Sequence, residues 1–173
     1  MKRFLVALVL IGFAPQPIMA QAVLGDTEAC AAGATTPAVL AYFDGLKDRK
    51  GNLRLELFPN NDADFLQDDF LLVKAGKTFR RIELPTPQAG PIALCIRVPA
   101  PGIYAMAIIH DRDSLRKFSF TVDGIGFPGN PKLGFSKPKA AKAAVLVGAG
   151  VSVLHVTLNY FRGLSFGPVK PKG

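Results

Sequence analysis

Gly102-Ile103-Tyr104-Ala105-Met106-Ala107-Ile108-Ile109-His110-Asp111-Arg112-Asp113 is the stretch on which the fold turns. In an extended chain Ile103, Ala105, Ala107 and Ile109 share one side, and Tyr104, Met106 and Ile108 share the other. Successive side chains of a strand point to opposite faces, so a strand apolar on both is covered on both. Gly102–Ile109 is therefore expected at the centre of a sheet, with partners on either side. Pro99-Ala100-Pro101 precedes it, and proline lacks the N–H that a ladder needs, which makes the cluster a strand boundary. The strand ends in polar residues, and a glycine- and proline-rich run, Gly124–Pro138, follows soon after. Polar groups crowded at a strand end beside a long loop are where sites sit on β scaffolds.

Outward from this strand the same alternation recurs. Ala38–Phe43 and Leu53–Phe58 read as strands, the second with Leu53, Leu55 and Leu57 on one face, and a turn at Asp48-Arg49-Lys50-Gly51 is expected to join them as a hairpin. Asn60–Phe70 reads as a loop with one helical turn. Phe70–Val73, Thr78–Leu84, Ile92–Val98 and Phe118–Val122 read as further strands, with Ile92, Leu94, Ile96 and Val98 on one side. Ala143–Val147 and Val151–Asn159 flank Gly148-Ala149-Gly150, a plausible hairpin turn. With no Trp, 13 Phe, 14 Pro and 17 Gly, the composition suits short strands joined by many turns. The expected fold is an all-β antiparallel sandwich of about 7–8 strands, immunoglobulin-like or transthyretin-like. A single domain is expected over residues 38–162, preceded by a leader at 23–37 and followed by a flexible basic tail at 163–173.

The ends and the cysteines point to a compartment. Lys2 and Arg3 precede the apolar run Phe4–Ala14, and small residues follow up to Ala20 and Ala22. That is the layout of a secretory signal peptide over residues 1–22, too short in its apolar part for the roughly 20 residues of a membrane span. A periplasmic or secreted product is expected, with no transmembrane segment once the signal is removed. Cys30 and Cys95 are the only cysteines, and in an oxidising compartment an even pair reads as a disulfide.

Loss of Lys2 and Arg3 lowers the 21 basic residues to 19 against 13 acidic ones, and no acid follows Asp123 whereas seven bases do. A basic flank of this kind suits a solvated surface, an anionic glycan, lipopolysaccharide or an acidic envelope protein. Nucleic acid is not expected, because no basic stripe is interleaved with aromatics.

Four separated pieces carry a resemblance. Pro101-Gly102-Ile103-Tyr104-Ala105, His110-Asp111-Arg112-Asp113, Gly124-Ile125-Gly126-Phe127-Pro128 and Leu133-Gly134-Phe135-Ser136 resemble, in order and spacing, the bacterial family of exported proteins called domain of unknown function 2141. The likeness spans Ala38–Tyr160 and implies a small exported β-sandwich. Pro99–Ala105 is also similar to the strand start of transthyretin-like and carboxypeptidase-regulatory-like sandwiches. Members of the family follow the His-Asp pair with an Asn-Gly-containing acidic turn and carry a later Glu. Here Asp113-Ser114-Leu115-Arg116 and Gly129-Asn130-Pro131 stand in those places, so no metal ion or other cofactor is expected from the resemblance.

Two readings of the polar residues compete. In the first, His110, Asp111, Asp113, Asp123 and Ser136 anchor the loop or line a ligand site, while Gly124, Gly126 and Gly134 let the loop lie close to the sheet. In the second, His110, Asp111 and Asp113 form the centre of a hydrolase or metal-dependent enzyme with Ser136 as nucleophile. No nucleophile-elbow motif and no metal-ligand spacing of His or Cys supports the second. The expected function is that of a non-catalytic binding or structural module of the cell envelope. A carbohydrate-binding or adhesion module, using the loop aromatics and basic flank, is a further alternative.

Overall fold

The structure, a computed structural model, describes residues 22–169. The signal-peptide reading therefore falls, but for Ala22, outside the described residues. Eleven strands form two sheets that pack face to face: β1 (Ala22–Gly25), β2 (Ala38–Asp44), β3 (Asn52–Pro59), β4 (Arg80–Pro85), β5 (Ile92–Arg97), β6 (Gly102–Asp111), β7 (Gly124–Gly126), β8 (Ala144–Val147), β9 (Val151–Thr157), β10 (Asn159–Phe161) and β11 (Phe166–Pro168). One sheet has the order β1-β5-β2-β9 and the other β11-β10-β7-β6-β3-β4, with β8 also paired to β6. The molecule is an all-β sandwich, as its alternation implies. It is not purely antiparallel, because β1 runs parallel to β5 and β2 parallel to β9.

β6 lies at the centre of the larger sheet, with β3 along one side and β8 and β7 in turn along the other. Its two apolar faces serve two cores. Met106 and Ile108 join Leu53, Leu55 and Leu57 of β3 and Ile92, Leu94, Ile96 and Val98 of the β5 segment between the sheets. Ala105, Ala107 and Ile109 face outward and are covered by Phe58, Phe65, Leu72 and Phe127. A smaller cluster, Ala29, Ala38, Leu40, Ala93 and Cys95, covers the outer face of the other sheet, where Cys30 and Cys95 form the expected disulfide.

Five local expectations are corrected. β2 and β3 are not a hairpin, since β2 pairs with β5 and β9 while β3 pairs with β6 and β4; the Asp48–Gly51 turn carries the chain from one sheet to the other. β8 and β9 likewise belong to different sheets, and the chain changes sheet once more between β9 and β10. Phe70–Val73 lies in a short helix, α1 (Asp69–Lys74), whose N-cap Asp68 accepts from the Leu71 N–H. Only Leu72 of that apolar run is buried, so a period of two never governed it. Phe118–Val122 is a turn, closed by N–H donation from Val122 and Asp123 to the Ser119 carbonyl. The carboxy-terminal end is paired where a flexible tail was expected: Phe166–Pro168 pairs with β10, and residues 170–173 lie outside the described residues. Ala22–Gly25, where the expected signal peptide meets the leader, pairs with β5.

Candidate functional site

His110 sits on β6 where the Lys50 turn and β10 converge, and it is fully buried. Its Nε2 lies 2.8 Å from the Lys50 carbonyl and its Nδ1 lies 2.8 Å from the Tyr160 hydroxyl. A carbonyl can only accept, so Nε2 carries the proton and the Tyr160 hydroxyl donates to Nδ1. That hydroxyl in turn accepts from the Lys47 N–H at 3.0 Å. Every polar atom of this chain of contacts is satisfied with a neutral imidazole. Burial holds the His110 pKa below its ordinary value and pushes that of Tyr160 up to about 12. Asp48, 3.9 Å from His110 Nε2, is ion-paired with Arg112, whose guanidinium holds the carboxyl below its usual range and also donates to the Val122 carbonyl at 2.8 Å. The imidazole thus ties the crossover turn to β6 and β10, which is an architectural task.

Asp111, Asp113 and Asp123 are brought together at the end of β6, with a carboxylate oxygen from each within 4.8 Å of the others. Asp123 accepts from the Arg112 N–H at 2.8 Å and the Ser119 N–H at 2.7 Å. Asp113 is exposed and accepts from the Leu115 N–H at 3.1 Å. Asp111 is fully buried; its Oδ2 accepts from the Arg116 N–H at 3.0 Å, and burial raises its pKa. Arg54, buried on β3, places Nε 3.9 Å from Asp111 Oδ2 and donates through Nη1 to the Arg116 carbonyl. The carboxylates therefore wind the loop 112–123 around themselves by accepting its backbone N–H groups.

Ser136 lies apart from His110's hydrogen-bonding partners. It is exposed on the rim of a half-open groove of about 180 Å³ lined chiefly by Phe118, Phe120, Ile125, Phe127, Phe135 and Phe166. Phe120 packs on Phe161 at 4.5 Å and on Phe166 at 5.0 Å between ring centroids, and Phe135 is 71% exposed. Lys137 stands at the rim, donating to the carbonyls of Asp62 and Phe65 at 3.0 and 2.9 Å. An ammonium has three donors, so one is left over. Lys132 and Lys139 flank it in sequence and are exposed.

The glycines divide. Gly124 and Gly126 lie in β7, where an added Cβ would come within 2.4 Å of the Tyr160 ring and 2.6 Å of Val156; both are sites of close approach. An added Cβ at Gly134 meets nothing within 4 Å, so that glycine is not required by packing.

The family model described as an uncharacterized protein conserved in bacteria, domain of unknown function 2141, matches residues 42–154. The chain belongs to this family. Its matched span runs from within β2 to within β9 and contains His110 with its Lys50 partner, the aspartate cluster and most of the groove, while Tyr160 lies beyond it. No curated protein and no solved structure matches the chain.

Sequence reading missed Tyr160, Lys50 and Asp48 as partners of His110, and Arg54 as the partner of Asp111. Tyr160 left a trace, since alternation places it on the apolar face of the last strand. Asp48 and Lys50 left none, because turn residues carry no period.

Proposed function

We propose that this chain is an exported, non-catalytic binding module whose groove holds the acyl part of an anionic amphiphile, with lipopolysaccharide-type lipids the class that fits. The observation that carries the reading is a phenylalanine-lined concavity left open to solvent beside a basic rim. Exposed apolar patches rimmed by polar residues mark interaction sites. The lining favours an acyl chain over a sugar ring: only Ser136 and Lys137 offer polar side chains there, and a glycan would leave its hydroxyls unpaired. The spare donor of Lys137, with exposed Lys132 and Lys139 flanking it in sequence, supplies the charge complementarity for an anionic head. Export rests on the amino-terminal signal pattern and agrees with the Cys30–Cys95 disulfide. No helix among the described residues is long and apolar enough to cross a membrane.

Calorimetric titration with dodecanoate, below its micelle concentration, tests the reading. Binding is expected, weakened at least tenfold by Phe135→Ser and by Phe120→Ser, with a neutral-headed dodecyl maltoside binding several-fold more weakly. Absence of dodecanoate binding, or binding indifferent to both substitutions, overturns it.

A further inference from the structure

The carboxylate Oδ1 of Asp111 is buried and has no hydrogen-bond partner. A buried oxygen left unpaired costs on the order of 1–3 kcal/mol, more when it carries charge, and native folds rarely leave one without a reason. This one belongs to a residue whose carboxylate faces two more within 4.8 Å, those of Asp113 and Asp123. Arg54 lies 3.9 Å from Asp111 and equally 3.9 Å from Glu56, so it does not offset the negative charge of the cluster in full. The remaining donors to the cluster are backbone N–H groups of Arg112, Leu115, Arg116 and Ser119, each engaging a carboxylate oxygen other than Asp111 Oδ1. Asp113, exposed, gives the cluster an opening to solvent.

From this geometry we infer a divalent-cation site at Asp111, Asp113 and Asp123, suited to calcium. Calcium takes hard oxygen ligands from carboxylates, carbonyls and water in flexible geometry. Three carboxylates, one at the end of β6 and two on the loop that follows it, satisfy that demand better than the near-octahedral one of magnesium. Asp111 Oδ1 then gains the partner it lacks, and the ion takes up the uncompensated charge. Sequence reading grouped these three aspartates with His110, and the turn closed at the Ser119 carbonyl is what returns Asp123 to the other two. The same loop carries Phe118 and Phe120 into the groove, so the ion would clamp the segment that presents them. This site is independent of whether an amphiphile binds.

The full chain, freed of metal with a chelator, is titrated calorimetrically with calcium chloride and with magnesium chloride. One calcium per chain is expected, with Kd of about 10⁻⁴–10⁻³ M as in extracellular calcium modules, and weaker binding of magnesium. Asp113→Asn keeps the oxygen that accepts from Leu115 while removing the charge, and is expected to weaken calcium at least tenfold. Asp111→Asn is expected to abolish it. Should that buried substitution prevent folding, the exposed Asp113→Asn still decides. Absence of calcium binding up to about 10 mM, or calcium binding unchanged in Asp113→Asn, overturns the site.

Discussion

His110 has no free lone pair and no room for a second proton. A proton added at Nδ1 would face the hydroxyl proton that Tyr160 donates to it and leave that hydroxyl without its acceptor, so the folded state resists protonation. The folded pKa lies below the ordinary 6.5, burial being the main cause. The unfolded chain therefore takes up the proton first. The stability that the neutral imidazole contributes is complete above 6.5 and is lost as pH falls below that value toward the folded pKa. Melting temperatures measured from pH 7 to pH 5 should fall in the native chain and fall less in His110→Asn. Equal slopes for the two would count against a lowered folded pKa at His110. Tyr160 gives the alkaline counterpart. Its pKa of about 12 exceeds the ordinary value of 10, so its share of stability is present below 10 and disappears as pH rises toward 12. Ultraviolet titration of the phenols should show one hydroxyl ionising late.

At the scale of single elements, β7 shows how three residues can control a site. Its register sets Gly124 opposite Tyr160 and Ile125 opposite Asn159, which places the Tyr160 ring over the Gly124 Cα. Gly124→Ala would drive a methyl into that ring and displace the hydroxyl from His110. A cost of about 1–3 kcal/mol is expected for such overpacking, read as a lower denaturant midpoint. Gly134→Ala, where the space is open, should stay within about 0.5 kcal/mol of the native chain. α1 teaches a complementary lesson. Its Asp68 cap turned an apolar run into a helical turn that buries only Leu72 and leaves Phe70, Leu71 and Val73 exposed. A short apolar run is ambiguous between strand and helix until something packs against it.

For the whole molecule, the disulfide is the longest covalent constraint. Cys30 and Cys95 close a loop 65 residues apart in sequence, and loop-closure entropy assigns such a bridge about 4 kcal/mol. Reduction should lower the denaturant midpoint by a corresponding amount, and a midpoint unchanged by reductant would mean that the unfolded chain gains little freedom from it. The outer cluster of Ala29, Ala38, Leu40 and Ala93 packs around the bridge, so β1 and the turn after it should loosen together. Amino-acid order alone determined that β6 is central, which residues of β3 and β5 face the core, that the cysteines pair, and that His110, Asp111 and Asp113 gather at a strand end. Those are local facts, because a two-residue period shows which side of a strand is apolar. The period carries no record of which strand lies alongside. Tertiary packing therefore decided that β2 and β3, and β8 and β9, separate into different sheets, that Tyr160 meets His110, that Asp123 returns to Asp111, and that six phenylalanines from distant segments line one groove or stack beside it.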